Sequence, residues 1–146
     1  MSSKIFRFAL MALVFTGSMA HAATNTWDAD TGTAGAQDGS GTWTASASDT
    51  NWWNGTANTA WNSTTPDSAV IGTNSGAAGT VTLGENITVG NLRFNAAGSG
   101  SYTLDGNGYA LTFGIDNPVL WVATGVTATN RANSFCDTRD LDITGG

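Results

Sequence analysis

Between residues 81 and 122 the chain repeats one short pattern, and that pattern limits its folds more than any other feature. Val81-Thr82-Leu83, Ile87-Thr88-Val89, Leu92-Arg93-Phe94, Tyr102-Thr103-Leu104 and Leu111-Thr112-Phe113 each place a polar residue between two apolar ones. Side chains alternate faces along a strand, so each triplet predicts a short strand with one buried face. The segments between them are turn formers: Gly84-Glu85-Asn86, Gly90-Asn91, Asn95 to Gly100 and Asp105-Gly106-Asn107-Gly108. Glycine and asparagine tolerate the positive φ that tight corners need.

Two all-β architectures accept such strands. One is a small antiparallel β-sandwich or barrel; the other is a β-solenoid, whose coils stack and bury their inner faces on one another. Composition favours the solenoid. From Ala23 onward, Gly, Ser, Thr and Asn make up 62 of 124 residues, while Leu, Ile, Val and Phe contribute 19. A narrow solenoid interior needs few large side chains, and its outer face accepts long polar runs. Residues 81–122 hold about two coils, where about three are needed for stability, so they read as the beginning of something longer.

Ahead of these strands the chain is rich in tryptophan: Trp27, Trp43, Trp52, Trp53 and Trp61. Terminal repeats of stacked arrays must shield apolar surface, which predicts that these indoles form the core of a cap. The alternative is a binding surface, in which exposed rings stack on sugars while neighbouring Asn and Asp bond hydroxyls. The resulting division is a signal peptide at 1–22, a Trp-rich cap at 23–66, solenoid coils at 67–127 and an irregular or truncated tail at 128–146.

The signal-peptide reading rests on Lys4 and Arg7, the apolar run Phe8 to Phe15, and the Ala20-His21-Ala22 exit. The mature chain then has three basic residues (Arg93, Arg131 and Arg139), eleven acids and no histidine, a net charge of −8. Without histidine there is no Ser-His-Asp or Cys-His pair and no His-ligated metal. Strong negative charge argues against nucleic acid and anionic lipid. No mature segment is long and apolar enough for a transmembrane helix. Cys136 is the single cysteine, so the fold is expected to stand without an internal disulfide.

One family matches this order of motifs. The W-D…D-G-S-G-T-W…N-W-W-N-G…W opening is followed by P-D-S-A-V-I-G, then G-T-V-T-L…I-T-V-G-N-L-R-F-N…Y-T-L-D-G…L-T-F. From Trp27 to Phe113 this resembles the N-terminal region of bacterial proteins carrying autotransporter-associated β-strand repeats. The resemblance implies a right-handed parallel β-helix displayed at the cell surface of a Gram-negative bacterium. It also implies that a C-terminal barrel or other anchor, lacking here, comes from the rest of a longer chain.

Catalysis finds little support. The acids (Asp28, Asp30, Asp38, Asp49, Asp67, Glu85, Asp105, Asp116, Asp137, Asp140 and Asp142) sit mostly beside Gly, Asn or Pro, as turn-forming aspartates do. No pair among them stands out as the two carboxylates of a glycosidase. Asp28-Ala-Asp30 lacks the later ligands of a calcium loop. The sequence thus predicts a non-enzymatic secreted or surface protein of structural or adhesive role, without cofactor or metal. Its partner is expected to be extracellular polysaccharide or a host or neighbouring surface. The runner-up is a secreted carbohydrate-binding module using the five tryptophans.

Overall fold

The computed structural model describes residues 22–134 and 141–144. The signal-peptide expectation, apart from Ala22, lies outside the described residues, as do Cys136 and Arg139. Every regular element described is a strand: β1 (Thr24–Trp27), β2 (Gly41–Trp43), β3 (Trp52–Trp53), β4 (Asn58–Thr59), β5 (Ser68–Ile71), β6 (Thr80–Leu83) and β7 (Ile87–Val89). There follow β8 (Leu92–Phe94), β9 (Tyr102–Asp105), β10 (Ala110–Phe113), β11 (Leu120–Val122), β12 (Thr127–Asn130), β13 (Asn133–Ser134) and β14 (Leu141–Thr144). The fold is all-β.

The strands form three open sheets. Sheet I has the order β11-β8-β5-β1-β3-β4, sheet II β14-β12-β9-β6-β2, and sheet III β13-β10-β7. From β5 to β13 the chain visits them in rotation, placing one strand in sheet I, one in II and one in III before returning to I; β14 then lies in sheet II, antiparallel to β12. Strands contributed by successive rounds pair in parallel. Ala69 faces Leu92, Val81 faces Leu104 and Ile87 faces Leu111. Eight of the eleven strand pairings among the described residues are parallel. An antiparallel sandwich does not describe the residues from β5 to β13, because their neighbouring strands pair in parallel. At Asp105–Gly108, Asn107 and Gly108 take φ of 47° and 87°. The Asp105 carboxylate accepts the Asn107 N–H at 2.9 Å, and the Tyr109 N–H closes on the Gly106 carbonyl at 2.7 Å. This is a corner between β9 and β10, which lie in sheets II and III.

The alternating triplets explain the core. Val81, Leu83, Ile87, Val89, Leu92, Phe94, Tyr102, Leu104 and Leu111 are all buried, Phe113 is half-buried, and the middle residue of each triplet is half-buried or exposed. Parallel register stacks like on like: Ile71, Phe94 and Val122 form one inward column, and Ala69, Leu92 and Leu120 another. Each side chain is covered by its equivalents in the rounds before and after. This is how a chain poor in large aliphatics assembles a continuous interior.

Two stretches differ in detail from the sequence expectation. β1 and β2, inside residues 23–66, pair in parallel with β5 and β6. Regular pairing also runs past residue 127, where an irregular tail was expected: β12 pairs in parallel with β9. The inward residues of β12 are Ala128 and Asn130, one small and one polar, so they leave little trace in an apolar pattern.

Candidate functional site

Adjacent residues of a strand face opposite ways, and this separates the five tryptophans of the first segment. Trp27, Trp43, Trp52 and Trp61 are buried, and Trp53 is half-buried. Trp52 packs on Trp27, Trp43 and Trp61 with ring centroids 5.4, 4.6 and 4.6 Å away. Trp43 meets Trp61 edge-on at 4.8 Å. Each such aromatic pair adds about 0.5–1.5 kcal/mol beyond area burial. The group is continuous with the aliphatic core. Trp61 also covers the open edge of sheet III: its Nε1 donates to the Thr88 carbonyl at 3.0 Å, while the Thr88 N–H reaches Ser63 Oγ at 3.4 Å. A ring without accessible surface offers no face to a sugar, so these four indoles cannot form a binding platform as they stand.

Several aspartates act as ties between distant segments. Asp28, fully buried, accepts the N–H groups of Asp30 and Gln37 on one oxygen and Asn58 Nδ2 on the other. Asp67 accepts the Ala23 N–H and Asn25 Nδ2. Asp38 joins three rounds of the chain. It accepts the Tyr102 hydroxyl at 2.8 Å and the N–H groups of Thr73, Ser75 and Gly76 at 2.9, 2.8 and 3.1 Å. Burial raises the Asp38 pKa, but these donors outweigh it and hold the carboxyl below its ordinary 3.8. Burial, and then the Asp38 anion, push the Tyr102 phenol well above its usual range. Among the described residues no three of His, Cys, Asp and Glu are grouped as a metal site would require.

The exposed candidate lies on the outer face of sheet I. Register aligns Trp53 with Thr26, Thr26 with Val70, Val70 with Arg93, and Arg93 with Trp121. This outward row crosses five strands, roughly 19 Å at about 4.8 Å per step. At its far end the Arg93 guanidinium carbon lies 3.9 Å from the centroid of the Trp121 ring. Arg93 Nε donates to Asn95 Oδ1 at 2.9 Å, which fixes the plane of the group. Trp121 is 39% exposed and Val119 54%. They border a groove of about 410 Å³ with Thr24, Ser68, Asn91 and Arg93 in its lining and, among the described residues, no carboxylate. Asn91 braces it: Nδ2 donates to Ser68 Oγ at 3.1 Å, and Oδ1 accepts the Val119 N–H at 2.8 Å. Trp121 was not among the candidates drawn from sequence. The signal was present in Leu120-Trp121-Val122, where alternation sends the middle residue outward.

Known proteins supply one comparison. The chain is 37% identical over 134 residues to the adhesin BmaC autotransporter of Brucella suis biovar 1 (strain 1330), an alignment that spans 88% of this chain and 4% of that protein. No family model and no solved structure matches. The chain is therefore related in sequence to a short stretch of a much longer autotransporter adhesin.

Proposed function

We propose that this chain is a non-enzymatic, adhesion-type segment exposed at the surface of a Gram-negative bacterium, built as the opening coils of a right-handed parallel β-helix with autotransporter-associated repeats. The observation that carries the reading is the rotation of strands through three sheets with parallel stacking between rounds. Such stacking extends a molecule along one axis without a larger core, as a surface rod requires. The relationship to an autotransporter adhesin supports the same role. In this reading residues 1–22 direct export and the indole cluster of residues 23–66 seals the first coil.

The test is protease shaving of intact cells of the source organism, with an antibody to the chain, beside an adhesion assay on a strain lacking the gene. Loss of the antibody signal on shaving, reduced adhesion in the deletion strain and a mature N-terminus at Ala23 are expected. A chain protected from protease in intact cells, or a deletion strain that adheres as well as its parent, contradicts the proposal.

A further inference from the structure

We infer that the groove beside Arg93 and Trp121 is a binding site for a carboxylated sugar, a uronic acid residue within a sparsely charged polysaccharide. The inference deepens the surface-adhesion reading and rests on it for its setting.

Charge is the first argument. The mature chain carries −8, yet among the described residues this groove is lined by a cation and no carboxylate. Among the described residues no acid forms an ion pair with Arg93. Its Nε–H is used by Asn95, and on this exposed side chain the Nη donors have no hydrogen-bond partner among the described residues, a pair suited to a planar carboxylate.

Shape is the second. About 410 Å³ falls within the roughly 300–1,000 Å³ usual for small-molecule sites. The guanidinium lies over one face of the Trp121 ring, which leaves the exposed remainder of the indole to meet the C–H face of a sugar whose carboxylate the cation takes. A bare inorganic anion uses only the first of these features.

The overall charge then narrows the class. Screening acts over about 8 Å at physiological salt, so a densely sulfated chain would bring many anions within range of an acidic surface. One carboxylate for every two sugars meets Arg93 with little added repulsion. The outward row also places Trp53 four strands from Trp121, a second aromatic position for a longer ligand.

The experiment is calorimetric titration of the full chain with three tetrasaccharides: unsulfated chondroitin, the same sugar with its carboxyls reduced to alcohols, and sulfated chondroitin. Unsulfated chondroitin is expected to bind at least ten-fold more tightly than either relative. Arg93→Gln should weaken that binding at least ten-fold, Arg93→Lys several-fold and Trp121→Ala at least five-fold. The carboxyl-reduced sugar should bind equally to the parent and Arg93→Gln chains. Both exposed sites permit substitution without loss of the fold, which circular dichroism checks. Parent affinity for the reduced sugar equal to that for unsulfated chondroitin, tighter binding of the sulfated one, unchanged affinity of Arg93→Gln for unsulfated chondroitin, or no binding by the folded parent overturns the inference. Protease shaving of cells is scored separately, so failure here leaves surface exposure standing, and failure there leaves the binding result intact.

Discussion

Trp52 and Trp53 are neighbours with the same flanking chemistry, yet one lies in the core and the other looks outward. Trp52 shares contacts with three other indoles, so removing a member of that group leaves a large cavity. Trp43→Ala should cost about 3–5 kcal/mol, and Trp53→Ala about 1 kcal/mol or less, measured by urea unfolding. The indole nitrogens divide the buried rings again. Trp27 Nε1 donates to the Gly39 carbonyl at 3.1 Å, whereas Trp52 Nε1 is buried without a partner among the described residues. Trp27→Phe should therefore be about 1 kcal/mol more destabilising than Trp52→Phe, since only the first loses a hydrogen bond. Asp38 and Tyr102 set the pH behaviour. Asp38 has a folded pKa below 3.8; its contribution is complete above the unfolded value and is lost as pH falls through the folded one. Tyr102 is raised above its ordinary 10.0, so its contribution is complete below that value and is lost in stronger alkali. Asp38→Asn should flatten the acid limb of a stability–pH profile below pH ~4, read by thermal melts; a parent and variant that lose stability in parallel there contradict the assignment.

At the scale of the element, the sequence is most readable where strands are long enough to show a full alternation. The triplets from Val81 to Leu111 show both their positions and their buried faces, with Phe113 half-buried at the end, because Thr or Arg between two large apolar residues fits only one alternation. The first segment was less readable. β3 and β4 are two-residue strands in an antiparallel return to sheet I, too short to leave a period. Trp52 and Trp53 were grouped as one feature, although period 2 sets them on opposite faces. The Asp38 tie was invisible for another reason: its partners lie 35 to 64 residues away, and beside Gly39 it looked like a turn residue. Corners give the sharpest test at this scale. Gly72 has φ of 107°, and a Cβ there would stand 2.3 Å from the Asn95 carbonyl oxygen. Gly55 has φ of 95° with nothing within 4 Å of such a Cβ. Gly72→Ala should cost about 2 kcal/mol or more and Gly55→Ala about 1 kcal/mol; equal costs in chemical denaturation would show that the approach of the two rounds is looser than described.

For the whole molecule, function depends on register. The inward columns, the aspartate ties and the outward row from Trp53 to Trp121 all follow from which residue of one round faces which of the next. A slip by one residue would exchange buried and exposed faces throughout. A slip by two would keep the faces but separate Arg93 from Trp121. Engineered cysteine pairs on the outer face of sheet I, in a Cys136→Ser chain, measure this register directly. Val70→Cys with Arg93→Cys joins positions that face each other, within the ~4.4–6.8 Å Cα separation that a disulfide spans. Ser68→Cys with Arg93→Cys is offset by two residues, which places the Cα atoms about 8 Å apart. The first pair should oxidise readily to an intramolecular disulfide in the folded chain and the second should remain reduced. Crosslinking of the second pair in preference to the first would contradict the parallel register on which the fold and its outer-face groove both rest.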